Sequence, residues 1–226
     1  MNPALDPDDV AEYLKANPAF FDQYAELLST IQVANPHGGR AIALSDRQVL
    51  ALREDNRKLA AKLKEVVDFG QDNMDRSEKM QRLSVALLQA RDLAAFVSSL
   101  YLHLREDFAI PHVAMRIWKE TDRDTAGRAE FDPVSDALKD YAAGLEHPYC
   151  GASGNVEAAA LFGDAASHVR SVGHLALRSG GTGVDRPCVG LLALGSEDLT
   201  RFQSDMDTLY QERLAELVSA GLARLL

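Results

Sequence analysis

Six histidines and two cysteines are the side chains of this sequence best suited to chemistry, and their spacing limits what they can do. His37, His103, His112, His147, His168 and His174 are scattered along the chain. His168 and His174 fall in one stretch that reads as a strand, six residues apart. They would share a face but stand ~20 Å apart at ~3.3 Å per residue, too far to hold one ion between them. No metal is expected. Cys150 lies in HPYCG, three residues after His147. A Cys–His pair can generate a thiolate nucleophile. Here a proline intervenes and no acid is placed to orient the imidazole. Cys150, and Cys188 inside a strand pattern, read instead as small buried apolar residues. Gly180, Gly181, Thr182 and Gly183 join two strand patterns. A phosphate loop would lead from a strand into a helix N-terminus, so this stretch reads as a hairpin loop. The sequence contains no HExxH, CxxC, GxSxG or P-loop pattern. No catalytic residue is assigned.

Composition allows a substantial core, since 46% of the 226 residues are hydrophobic and 26% charged. Two cysteines cannot build a disulfide framework, which fits a reducing compartment. The acidic start MNPALDPDDV lacks the apolar segment of a secretory signal. No apolar run approaches the ~18 residues of a membrane span. A cytoplasmic protein without membrane contact is expected. The net charge of −10 is uneven: −4 over residues 1–44, +2 over 45–91 and −8 over 92–226. Acidic flanks repel phosphate backbones, so direct nucleic-acid binding is not expected.

Three segments must position whatever site exists. Residues 1–44 read as a helical segment. Asp6 or Asp8 caps a helix over DDVAEYLKA, and Asn17-Pro18 restarts the chain into AFFDQYAELLSTI. The second helix carries Phe20, Phe21, Tyr24, Leu27, Leu28 and Ile31 on a stripe wide enough to need a partner. Residues 45–76 read as a coiled-coil dimerisation helix, opened by a capping box at Ser45 and Gln48. Val49, Leu52, Asn56, Leu59, Leu63 and Val66 repeat every 3.5 residues on average. Asn56 at an a position is a device that fixes a parallel dimer in register. The seam weakens at Gly70, Asn73 and Ser77, where the next domain would begin.

Residues 77–226 read as one α+β domain. A helix runs unbroken to about Phe108, and Pro111 stops it. HVAMRIW is the first strand, and TDRDTAGRAE links it to a poorly defined second one. Asp132-Pro133 caps a short helix ending at Gly144. The stretches at 168–179 and 187–196 form a hairpin. A final helix spans 200–226, capped at Asp198 or Thr200 and anchored by Phe202.

The run VGLLALGSEDLTRF resembles the end of a GAF domain, through Gly190, Leu192, Gly195, Ser196, Asp198, Arg201 and Phe202. The whole chain also resembles a proteobacterial family known only as domain of unknown function 484. VAEYLKANPAFF, LSDRQVLALREDNRKL, FAIPHVAMRIW, PYCG and ALFGD carry that likeness. The GAF resemblance implies an antiparallel sheet with the terminal helices on one face, where they help form a homodimer. It also implies a small-molecule pocket on the opposite face, with walls from Arg116, Trp118, Tyr149, Cys150, Phe162 and His174. The cyclic-nucleotide signature of some GAF domains is absent, Cys150 lacks the following histidine of bilin-binding relatives, and two cysteines are too few for the GAF-type sulfoxide reductases. The expectation is a non-enzymatic, dimeric regulatory or sensory protein. It would bind an unidentified small ligand and signal through the coiled coil to residues 1–44, a possible protein-docking segment. One alternative is a ligand-free interaction module using the fold as a dimer platform. Another is a cysteine-dependent redox enzyme.

Overall fold

The computed structural model describes residues 6–33, 42–119, 125, 127–152, 156–180, 185–204, 206 and 208–226. Residues 34–41, which hold His37 and most of the loop expected over VANPHGGR, lie outside them, as do Gly181, Thr182 and Gly183. The chain divides into two compact units, Met1–Asp72 and Asn73–Leu226.

In the first unit, α1 (Pro7–Ala16) starts where Asp6 Oδ1 accepts the Asp8 N–H at 3.0 Å. Asn17 closes it, its backbone N–H and its side-chain amide both donating to the Tyr13 carbonyl. The expected second helix is instead two single turns, α2 (Phe20–Gln23) and α3 (Leu27–Thr30). Tyr24 leaves the helical region (φ −121°, ψ 39°), and its ring stacks on Phe20 at 4.8 Å. Aromatic contact within the turn takes the place of helical continuation. The Leu28 side chain of the expected stripe lies outside the described residues. A two-residue antiparallel pair follows, β1 (Gln32–Val33) with β2 (Ile42–Ala43). It feeds directly into α4 (Leu44–Gln89), 46 residues long. Ser45 therefore sits inside the first turn and not at the cap expected of it.

The second unit begins within α4, at Asn73. Leu83 and Leu87 are buried in the core, with Met80 packed against it. The expected unbroken helix to Phe108 is interrupted. Ala90 to Asp92 leave helical geometry, and α5 (Leu93–Glu106) restarts because Asp92 Oδ1 accepts the Ala95 N–H at 2.8 Å. The Arg224 guanidinium donates to the Leu87 and Ala90 carbonyls at this break, at 3.2 and 2.9 Å. Ala109 then takes a left-handed conformation (φ 51°).

The sheet has four antiparallel strands in the order β3-β6-β5-β4. These are β3 (His112–Ile117), β4 (Tyr149–Gly151), β5 (Ser171–Arg178) and β6 (Cys188–Ser196). The expected hairpin is β5–β6, pairing His174 with Ala193 and Leu175 with Leu192. Gly190 lets β6 lie close to β3: a Cβ there would stand 2.6 Å from the Arg116 carbonyl oxygen. His168 precedes β5, so the two histidines do not share a strand. No strand forms in the described part of the 119–131 link, where Ala129–Phe131 make a 3₁₀ turn. Between β3 and β4, α6 (Asp136–Ala143) is capped by the Ser135 hydroxyl, which accepts the Leu138 N–H at 3.1 Å. Asp132 is not the cap; Glu157 accepts from both the Ser135 N–H and its hydroxyl and holds that residue in place. The α6 helix ends at Gly144 as expected. Between β4 and β5 lie α7 (Val156–Ala160) and a 3₁₀ turn over Gly163–Ser167.

The last helix, α8 (Leu209–Leu225), begins nine residues later than expected. Asp198 Oδ1 accepts both the Thr200 N–H and its hydroxyl at 2.8 Å, making a local turn. Phe202 is buried over Gly173, where a Cβ would stand 3.3 Å from its ring. Phe202 is thus docked on the sheet before the helix starts at Leu209.

Strand alternation sorts the sheet into two faces. Met115, Leu175, Leu177, Leu192 and Leu194 join one core with α5, α8 and the end of α4. Gly221 of α8 lies so close to Phe96 of α5 that a Cβ would stand 2.3 Å from the ring. The other face is smaller. Leu191 packs there with Leu138 and Ala142 of α6 and Ala158 of α7. An α+β fold with its terminal helices on one face is therefore present.

Candidate functional site

Register places Arg116, Tyr149 and His174 on the face away from the terminal helices, and Trp118 packs on that side too. Phe162 also covers this face, 6.4 Å from the His112 ring and over Gly195. Cys150 does not join them. It is one residue from Tyr149 on the same strand, so it points to the opposite face and lies in the main core. Burial pushes its thiol up from the ordinary range, which disfavours a thiolate.

Most polar groups on these side chains are met within the domain, chiefly by backbone carbonyls. His174 is fully buried. Its Nδ1 lies 2.8 Å from the Tyr141 hydroxyl of α6, and Tyr149 stacks on its ring at 5.6 Å. Burial lowers the imidazole to about 4 and raises the Tyr141 hydroxyl to about 12, so both are neutral near pH 7. The His174 Nε2 is buried without a partner. Tyr149 donates to the Ala152 carbonyl at 2.9 Å. Trp118 Nε1 donates to the Cys188 carbonyl at 2.9 Å, and Arg116 to its neighbour's Met115 carbonyl at 3.0 Å. Arg178, also on this face, donates to the Ala143 and Leu145 carbonyls at the end of α6. The neutral, mutually occupied Tyr141–His174–Tyr149 group fills the place where a ligand was expected.

An open cavity of about 270 Å³ lies on the other side of the sheet, wholly within the second unit. Five parts of the chain build it: α4 at Arg76, Lys79 and Met80, the end of α5 with the residues up to Ile110, Leu194 of β6, the group Arg201, Phe202 and Met206, and the start of α8. Its floor is apolar, with Leu104, Leu194, Phe202 and Leu214. Three cations line it, Arg76, Lys79 and Arg201. Asp107, the one acid among the described lining residues, is engaged by His103 at 2.5 Å and by Arg82 at 3.1 Å, and these hydrogen bonds hold its carboxyl below the usual range. Arg201 donates to the Phe108 carbonyl at 2.6 Å. Burial lowers its affinity for its proton, the neighbouring Arg76 lowers it further, and Asp198 opposes this more weakly. Gln211 is buried beside the cavity, with Oε1 unpartnered and only Met206 Sδ, at 3.7 Å, near its amide nitrogen. Among the described residues no serine, threonine or cysteine lines the cavity. Among the described residues no three His, Cys, Asp or Glu side chains gather as a metal site requires.

Sequence reading missed this cavity because its walls meet only through the fold. Two signals were present. Arg201 was noted only as half of an Arg-Phe pair. Gln211 interrupts a buried stripe that continues through Leu214, Val218, Leu222 and Leu225.

The model of a family described as "Protein of unknown function, DUF484" matches residues 2–226, so the chain belongs to that family. No curated protein matches it. Among the described residues no helix is long and apolar enough to cross a membrane.

Proposed function

We propose that this member of the DUF484 family is a homodimeric, non-enzymatic regulatory protein of the cytoplasm. Its α4 helices pair in parallel, and a GAF-like domain binds a small molecule and signals through them to residues 1–44. One observation carries the reading. Leu52, Leu59, Leu63 and Val66 of α4 are 65–69% exposed, at coiled-coil spacing, on a single chain. A second copy, in register at Asn56, covers such a stripe. The same helix contributes Arg76, Lys79 and Met80 to the cavity wall, so a ligand there can bias the helix if it has different affinities for two arrangements.

Light scattering at micromolar concentration tests the dimer: twice the chain mass is expected, and a monomer overturns it. Leu59→Glu should give the monomer. Asn56→Leu should raise the melting temperature while admitting other oligomers; unchanged melting and mass would remove Asn56 from the seam.

A second reading is a ligand-free interaction module. It is favoured by the Tyr141–His174–Tyr149 group that occupies the expected ligand face. Native mass spectrometry separates the two, since retained small molecules accompany the dimer only in the first.

A further inference from the structure

We infer that the helix-side cavity is a binding site for a small amphipathic anion: a short apolar body carrying one acidic head, as in a medium-chain carboxylic acid. The inference rests on the regulatory reading above for its consequence, but on the cavity's own chemistry for its ligand.

Size comes first. About 270 Å³ is just below the usual range for drug-sized ligands. At ~30 Å³ per water-sized group it holds roughly nine or ten heavy atoms. The floor of Leu104, Leu194, Phe202 and Leu214 offers a body no hydrogen bond, so a sugar or other polyol would lose its own on entry.

Charge comes second. The 92–226 segment is acidic, yet this opening gathers Arg76, Lys79 and Arg201. Among the described residues none of the three has a carboxylate within 4.0 Å. Arg76 lies 5.8 Å from the Tyr210 ring centroid, at the mouth of the cavity. Arg76 and Arg201 repel each other. An anion between them removes that repulsion and gains charge-assisted hydrogen bonds.

The third observation is Gln211, a buried amide with an unpartnered oxygen among apolar neighbours. Its amide nitrogen meets only the Met206 thioether, at 3.7 Å, a weak acceptor whose place a carboxylate oxygen would take with a stronger hydrogen bond. A cation would meet three like charges, and a neutral amphiphile of the same length would leave them unpaired.

The full chain is titrated by calorimetry with sodium octanoate, 1-octanol and octylamine, each below its aggregation concentration. Octanoate should bind saturably and raise the melting temperature. Octanol should bind at least about tenfold more weakly, and octylamine not at all, the difference being one charge-assisted contact. Replacing Lys79→Gln and Arg76→Gln together, both on the rim, should cost octanoate about tenfold or more and leave octanol unchanged. Gln211→Leu should weaken octanoate several-fold while the folded protein becomes no less stable; a merely structural Gln211 would leave binding unmoved. Octanoate binding no tighter than octanol, or unaltered by the rim substitutions, overturns the site. Light scattering on the same samples separates the two proposals: selective octanoate binding by a monomer keeps the site and removes the dimer, and a dimer indifferent to octanoate does the reverse.

Discussion

On the face covered by α5, α8 and the end of α4, the sheet presents Leu175, Leu177, Leu192 and Leu194, and its partners are almost all apolar up to the cavity rim. On the other face it buries His174, whose Nδ1 meets the Tyr141 hydroxyl while Nε2 has no partner, and Arg178, which donates to the Ala143 and Leu145 carbonyls. The first face holds by volume and dispersion, and tolerates an opening because apolar walls need no partner. The second holds by matching polar groups, and tolerates no opening because an unmatched one is costly. This is why the cavity lies on the face that looked solid from sequence, and the sealed group on the face that looked receptive.

Substitutions can break this contrast. Phe96→Ala on the volume-held face should cost about 3–5 kcal/mol in denaturant unfolding, equally at pH 5 and pH 8. A loss that varied strongly with pH would contradict it. The polar face should instead be pH-sensitive. His174 titrates ordinarily near 6.5 but near 4 when buried, so below 6.5 the unfolded chain takes up a proton that the folded one refuses. Its contribution is fully present above pH 6.5 and is lost as pH falls toward 4, by up to about 3 kcal/mol. Comparing His174→Leu with the parent across that range should show the dependence largely removed. Tyr141→Phe leaves His174 Nδ1 unmatched and should cost about 1–3 kcal/mol, while the double variant Tyr141→Phe/His174→Leu should recover most of it. A double variant as poor as the sum would mean the pair is held by packing alone. The smallest effect is expected at Ala109. Glycine there relieves the left-handed strain but adds freedom to the unfolded chain, for a net gain below about 1 kcal/mol. A loss on chemical denaturation would show that the alanine methyl packs usefully.

Much of the fold was legible in local residue chemistry. β3, the β5–β6 hairpin, the helical span of 45–76 within α4 and the stop at Gly144 follow from patterns within a few residues. The misses have a common cause, competition between local signals and distant partners. QARDLA keeps helical periodicity across residues 89–94, and only the use of Asp92 as a cap ends one helix and begins another. Thr200 looks like a helix start, yet Phe202 must first reach Gly173, which delays the helix to Leu209. Tyr149–Gly151 is too short to announce itself as a strand, and pairing with Val172 to His174 makes it one. For the site, alternation correctly grouped Arg116 with Trp118, but the adjacency of Tyr149 and Cys150 concealed that they face opposite ways. The cavity could not be read because Arg76 and Arg201 stand 125 positions apart in the numbering.

Arg224 adds a consequence of timing. The carbonyls of Leu87 and Ala90 at the break between α4 and α5 receive their donor from a residue 137 and 134 positions later. A ribosome delivers that break long before it delivers the guanidinium. Until then water must serve the exposed carbonyls, and the bend is free to straighten into one longer helix or to fray. The corner of the domain is therefore among the last places to become definite as the chain emerges, and its geometry is completed by the closing turns of α8 on top of the local Asp92 cap.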